Sequence, residues 1–309
     1  MSAIIKQFGS ILDLVKHFDT EQKCIEHLTN LRWGGNVVSP SNKESKVYVC
    51  KGNKYKCKET GKYFNVRTGT FFDDTKIPLQ KWFIALWLMS SHKKGISSHQ
   101  LAKDIGVTQK TAWYMLHRLR NAFGNNSPKG LGYNNAVEAD ETYVGGKETN
   151  KHKHKKNENW MDGKITVLGA VERGGNVVAE KTKVADSDTV PRFIYRNVIA
   201  GAKLMTDNAK FYFPMQLRYE HKVVKHDEKE YVRGIAHTNT IEGFWSLFKR
   251  GVVGIYHHVS EKHINNYLIE FSFRYNTRTF AEMIRFNYIL TNLSNTKLKY
   301  STLIEKKNE

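Results

Sequence analysis

Asp140, Asp207 and Glu242 are carboxylates whose types and spacing could hold divalent cations. The last two have 34 residues between them, and Lys249 lies seven positions after Glu242. Carboxylate oxygen suits hard cations such as Mg2+ or Mn2+. Two such ions, about 3.5 to 4 Å apart, can neutralise phosphate charge, activate an attacking oxygen and stabilise the leaving one. The chemistry expected of the set is two-metal cleavage of a phosphodiester.

Each acid needs an element to position it. Asp140 falls in Ala136-Val-Glu-Ala-Asp-Glu-Thr-Tyr-Val144, whose alternating apolar positions, closed by Gly145-Gly146, predict a strand. Asp207 follows a second short run, Ala202-Lys-Leu-Met-Thr206. Glu242 lies in Asn239-Thr-Ile-Glu-Gly-Phe-Trp-Ser-Leu-Phe-Lys249, where Ile241, Trp245 and Phe248 recur at helical spacing. That spacing puts Glu242 and Lys249 on one face, two turns apart. Any single acid among the 30 Asp and Glu of this chain is more often ordinary surface; the combination of strand, strand and helix singles these out. Glu138, two residues before Asp140 and so on the same strand face, is a rival ligand.

Longer stretches around these acids resemble a known family. Glu138-Ala-Asp-Glu-Thr-Tyr-Val-Gly-Gly-Lys147 with Asn150-Lys-His152, Thr206-Asp-Asn-Ala209, and His237-Thr-Asn-Thr-Ile-Glu-Gly-Phe-Trp-Ser-Leu-Phe-Lys-Arg250 are similar to the DDE transposases of the ISXO type, bacterial insertion-sequence enzymes related to the eukaryotic Merlin elements. The similarity continues through Arg67-Thr-Gly-Thr-Phe-Phe72, Gly254-Ile-Tyr-His-His258 and Glu270-Phe-Ser-Phe-Arg-Tyr-Asn-Thr-Arg278, nearly the whole chain. The resemblance implies an α/β, RNase H-like catalytic domain in which Asp140, Asp207 and Glu242 ligate two Mg2+ or Mn2+ ions, with Lys249 and Arg250 as DNA contacts.

Charge agrees with a polyanionic partner: 49 Lys and Arg against 30 Asp and Glu give a net charge of +19 over 309 residues. No apolar run approaches the ~20 residues of a membrane span, and no signal-peptide pattern opens the chain. Membrane association is therefore not expected. Three cysteines at irregular spacing make no disulfide framework, which points to an intracellular setting, bacterial cytoplasm and nucleoid or eukaryotic nucleus.

Five segments are expected. Residues 1–31 carry N-terminal helices: an amphipathic first one with Ile4, Ile5, Phe8, Ile11, Leu12 and Val15 on one side, and a second begun by Asp19 and running to about Leu31. Residues 32–75 contain strand-like pieces at Lys46–Cys50 and Tyr63–Val66. In the family this segment is often a zinc ribbon with two Cys-x-x-Cys knuckles, but here the knuckle positions read Ser39-Pro-Ser-Asn42 and Cys57-Lys-Glu-Thr60. A closed zinc site wants four ligands, so no structural zinc is expected, and Tyr48, Tyr55, Tyr63 and Phe64 are expected to hold the ribbon.

Residues 76–124 contain a helix-turn-helix pattern around Gly106. Leu101, Ala102, Ile105, Val107, Ala112 and Leu116 form its core, Gln109, Lys110 and Tyr114 are free for a DNA groove, and His117-Arg-Leu-Arg120 is a basic tail. Residues 125–293 form the catalytic domain, with strands at Ile165–Val171 and Asn176–Glu180, a helix near Thr189–Val198 and a strand near His221–Val224. Residues 294–309 are a C-terminal tail. Lys147 and Lys151 sit in a Lys- and His-rich loop that reads equally as a solvated loop or a DNA-backbone clamp.

The expected protein is a transposase that binds the terminal inverted repeats of its element, cleaves the DNA and transfers the 3′-hydroxyl end to target DNA, acting as a homodimer or higher oligomer. The alternatives are a domesticated sequence-specific DNA-binding protein and an RNase H-like nuclease without strand transfer. The three carboxylates count against the first, and the helix-turn-helix against the second.

Overall fold

The structure is a computed structural model describing residues 8–128, 130–145, 163–224, 237–293 and 296–305. It separates into two compact units, Met1–Asn126 with Thr279–Glu309, and Ser127–Arg278.

The first unit opens with α1 (Ile11–His17), where the Ser10 hydroxyl accepts the Asp13 N–H. The amphipathic face expected here is corrected: Ile11, Leu12 and Val15 are exposed, and burial comes from Phe8, Leu14 and Phe18. Ile4 and Ile5 lie outside the described residues. α2 (Glu21–Trp33) is capped by Thr20, one residue after the expected Asp19, and ends at left-handed Gly34, φ 56°.

Strands β1 (Val47–Cys50), β2 (Lys54–Cys57) and β3 (Tyr63–Phe64) form an antiparallel sheet. Tyr55 and Phe64 do pack, with Trp33, at centroid distances of 5.5 and 5.6 Å from Tyr55, whereas Tyr48 and Tyr63 are exposed, their rings met by the Lys46 and Lys56 ammonium groups at 5.8 and 5.4 Å. The knuckle positions are joined by hydroxyls. The Cys57 thiol donates to Ser45 Oγ at 3.2 Å, and Ser41 Oγ lies within hydrogen-bonding distance of both Ser39 Oγ and Thr60 Oγ1.

Helices α3 (Leu79–Ser91), α4 (Ser98–Ile105) and α5 (Gln109–Phe123) follow. Ser97 and Thr108 cap the last two, and Gly106, φ 60°, makes the turn between them. Of the expected core, Leu101, Ala102, Ile105, Ala112 and Leu116 are buried and Val107 is half-buried. The expected basic tail is not a surface: His117, Arg118 and Arg120 are buried.

In the second unit, β4 (Val137–Val144), β5 (Ile165–Glu172), β6 (Val177–Thr182), α6 (Thr189–Asn197), β7 (Lys203–Thr206), a 3-10 segment (Lys210–Leu217), β8 (Glu220–Val223) and α7 (Asn239–Gly251) follow one another, and α8 (Ile264–Asn276), which the sequence reading did not assign, comes next. The described strands form a five-stranded mixed sheet, β6-β5-β4-β7-β8, with β4 antiparallel to β5 and parallel to β7. This mixed α/β architecture is compatible with an RNase H-like domain. Alternation along the strands supplies two cores. Val137, Ala139, Leu168 and Ala170 face α6 and Tyr212, while Val144, Val167 and Val171 face Ile241, Phe244, Trp245 and Phe248 of α7.

The chain then returns to the first unit. α9 (Glu282–Thr291) places Phe286 among Phe8, Phe18, Phe83 and Trp87, and Arg285 donates to the Ser90 carbonyl at 2.8 Å. α10 (Tyr300–Ile304) lies beyond. The sequence reading carried the catalytic segment to 293, whereas compactness closes the second unit at Arg278, because the apolar face of α9 is completed by α2 and α3.

Candidate metal centre

Strand β4 runs on past the end of its parallel neighbour. Val137 pairs with Leu204 and Glu138 with Met205, after which the pairing stops, β7 ends one residue later at Thr206, and a notch opens beside Asp140 and Glu141. Asp207 follows the last residue of β7 directly, at the carboxyl end of that strand, the side on which open α/β sheets bind ligands. One carboxylate oxygen from each of Asp140, Glu141 and Asp207 lies within 4.8 Å of the others.

Strand alternation sends Asp140 and Glu141 to opposite faces of the sheet. The Trp245 indole N–H of α7 donates to Asp140 Oδ2 at 3.0 Å on one face, and the Tyr212 hydroxyl donates to Glu141 Oε2 at 3.3 Å on the other. The two acids meet only because no strand occupies the notch. Asp207 is turned inward by the Ala209 N–H, which donates to its Oδ1 at 3.1 Å.

Crowding raises the proton affinity of these acids. Burial, and then the charges of Glu141 and Asp207, push the Asp140 carboxyl up to about 8. Burial and Asp207 push Glu141 up to about 7. Like charges forced together in a partly dry site are relieved by a cation. The donor set is all oxygen and fits a hard divalent ion.

Glu242 stands in the first turn of α7 and accepts the Thr238 hydroxyl at 2.8 Å. It is not part of the close trio. It does line, with Asp140, Thr142, Trp245, Ser246, Lys249 and Arg250, an open cleft of about 470 Å³. The helical spacing read from the sequence therefore sets Glu242 and both cations beside Asp140. Partial burial holds the Lys249 ammonium below its ordinary range, against the opposing pull of Asp140.

Glu141 and Trp245 were missed as site residues. Glu141 was hidden by alternation, which predicts that adjacent strand residues cannot share a site. Gly169 is the signal that could have found Trp245: a glycine inside a strand often marks close approach. It pairs with Asp140 across β4 and β5, and a Cβ there would meet the Trp245 ring at 2.5 Å. Glu138, the rival ligand, points away from the notch. Its buried carboxylate is taken up by Arg173, Thr240 and Ile241.

The other expected contacts divide. Gln109 and Lys110 are exposed at the start of α5, although Gln109 Nε2 donates to Ser98 Oγ at 2.8 Å and Lys110 Nζ lies 5.2 Å from the Tyr300 ring centroid. Tyr114 is not free for a groove: its hydroxyl donates to the Leu298 carbonyl at 2.7 Å, and Tyr300 packs edge-on against its ring. Lys147 and Lys151 lie outside the described residues. No described helix is long and apolar enough to cross a membrane.

Residues 132–276 match the family model of the ISXO2-like transposase domain. The chain is also 27% identical, over 84% of its own length and 92% of the other's, to an uncharacterized protein in the transposable element ISH50 of Halobacterium salinarum. No solved structure matches it.

Proposed function

Because the chain carries an ISXO2-like transposase domain at residues 132–276, we propose that it is a DNA transposase that cleaves at the ends of its element and joins them to target DNA. The observation that carries this reading is the notch at the end of β7, where Asp140, Glu141 and Asp207 converge within 4.8 Å beside a cleft that also holds Glu242, Lys249 and Arg250.

In an RNase H-like site, Asp140, Asp207 and Glu242 would hold a pair of divalent cations, with Glu141 a fourth acid at the same notch. Bound there, Mg2+ or Mn2+ supplies activation of water and neutralisation of charge at the scissile phosphate. The chain's own residues do the rest. Trp245 fixes one oxygen of Asp140 and leaves the other to face the notch. Lys249 and Arg250 meet phosphates flanking the scissile bond. Hydrolysis breaks one P–O bond and frees a 3′-hydroxyl, which then forms a new P–O bond with target DNA as the target's own strand is broken. Gln109 and Lys110 on α5 would read the terminal inverted repeats, in a synaptic assembly of two or more copies that brings both element ends together.

The test is a strand-transfer assay on candidate element ends. Asp140→Ala, Asp207→Ala and Glu242→Ala should each lose Mg2+- or Mn2+-dependent cleavage by a factor of roughly 10³ or more, while gel-shift binding to the same ends persists. Wild-type cleavage by the Asp140 or Asp207 variant overturns the assignment.

A further inference from the structure

Helix α7 has an unusual start. Its N-cap residue, Thr238, makes no side-chain bond to the helix backbone; its hydroxyl goes instead to Glu242, at 2.8 Å. The first-turn N–H groups of a helix need an acceptor, normally the N-cap side chain. Here it comes from 102 residues away, on β4: Glu138 Oε2 accepts the N–H of Thr240 at 2.7 Å. The same oxygen accepts the N–H of Ile241 at 3.0 Å. Glu138 Oε1 accepts the Thr240 hydroxyl at 2.8 Å and Arg173 Nε at 2.6 Å. Arg173 also donates to the His237 carbonyl at 2.9 Å, tying down the residue before the cap. The Glu138 side chain is wholly buried, at 0% exposure.

We propose that Glu138 is a positioning residue of the metal centre: it caps α7 from the strand that carries Asp140 and so fixes where Glu242 stands relative to that acid. A second attachment completes the argument. One helical turn after Glu242, the Trp245 indole bonds Asp140 itself, in the space Gly169 leaves open. Glu242 lies between the two attachments in the α7 sequence. With 100° and 1.5 Å per residue, two fixed points on a helix determine both the rotation and the height of a residue between them. Glu138 and Asp140 are two apart on one strand face, so a single rigid β-segment sets both points. Taking over the capping function also frees the Thr238 hydroxyl to hold the Glu242 carboxylate.

The inference rests on the two-metal reading, and its test separates the two. Mn2+ binding to the full chain is measured by calorimetry alongside thermal melting. Glu138→Gln keeps the volume but turns an NH2 group toward N–H donors; it should weaken Mn2+ binding about 10- to 100-fold, the range seen when outer partners of metal ligands are removed. Glu172→Gln is the control. Glu172 is also a buried acid, accepting loop N–H groups of Gly132, Asn134 and Asn135 at 2.8 to 3.2 Å, but it touches neither α7 nor the acids of the notch. It should lower the melting temperature and leave Mn2+ affinity within about twofold of wild type, since its bonds serve the fold alone. Thr240→Val, which removes one of the four bonds, should fold and lose roughly threefold in affinity.

Wild-type Mn2+ affinity in Glu138→Gln, or in Thr240→Val should Glu138→Gln not fold, overturns the proposal and leaves the metal reading standing, as does an equal loss in Glu172→Gln. A wild-type chain that binds no Mn2+, or an Asp207→Ala variant that binds it undiminished, overturns the metal reading and this inference with it.

Discussion

Asp140 bears opposing demands. It sits beside two other acids and against an apolar helix face, and its carboxyl is held protonated up to about 8, mainly by burial and then by Glu141 and Asp207. A carboxyl with a raised folded-state value binds its proton more tightly folded than unfolded. Its contribution to stability is therefore present below about 4, the ordinary Asp value, and is lost as the pH rises through about 8. In chelator-treated protein, Asp140→Asn should gain melting temperature relative to wild type between pH 5 and 8, with the advantage growing toward pH 8. Added Mg2+ should narrow that gap, since it stabilises the wild-type carboxylate and has less to bind in the variant. A pH-independent difference between the two proteins would show that Asp140 does not titrate as its surroundings require. Asp140 and Asp207 could be chosen from sequence because each falls at a strand that pattern alone reveals. Glu138 and Glu141 could not be sorted, because the sequence Glu-Ala-Asp-Glu does not say where the neighbouring strand stops.

At the scale of elements, the α7 face carries Glu242, Trp245 and Lys249 toward one cleft, while α5 presents Gln109 and Lys110 elsewhere in the chain. The proposed roles separate under mutation. Lys249→Ala should slow cleavage several-fold and reduce the salt slope of engagement at the cleavage site by about one unit. Lys110→Ala should weaken capture of the element end and leave the rate on an already captured end unchanged. Equal cleavage rates for Lys249→Ala and wild type at low and high salt would place that lysine in solvent. The order of elements from β4 to α7 was legible because apolar alternation and helical spacing are strong there. Strand β2 was not, since Lys54-Tyr-Lys-Cys57 has a single buried residue and belongs to a sheet fastened from one side by Trp33 and Phe64. The opening helix misled for a related reason: a periodic apolar stripe predicts a buried face only where something packs on it, and Ile11, Leu12 and Val15 are exposed. Tyr114 looked available because the residues that engage it, Leu298 and Tyr300, lie 184 and 186 positions further along the chain.

At the scale of the molecule, the last thirty or so residues are not an appendage. Phe286 completes an aromatic cluster with Phe8, Phe18, Phe83 and Trp87; the Phe71 N–H donates to Thr296 Oγ1 at 2.8 Å; and Arg118 Nε donates to the Leu298 carbonyl at 3.1 Å. Deleting residues 279–309 should therefore melt the first unit, at a cost of at least 3 to 5 kcal/mol for the buried aromatic alone, as an estimate for a large core residue. The second unit should keep its own transition. Limited proteolysis of the truncated chain should yield a resistant fragment beginning near Ser127; a fragment covering residues 8–126 that resists equally well would contradict this.

That the second unit is threaded through the first as an insertion also fixes an order of birth. A ribosome delivers residues 1–126 before the second unit, but their aromatic core waits for Phe286, which is translated only after every strand and helix of the metal centre has been. Domains generally fold as units while synthesis proceeds. The half proposed to cut can therefore close on itself before the half proposed to choose where has a finished interior, and the interval between them is set by the time taken to translate α9 and the residues through Leu298 that complete it.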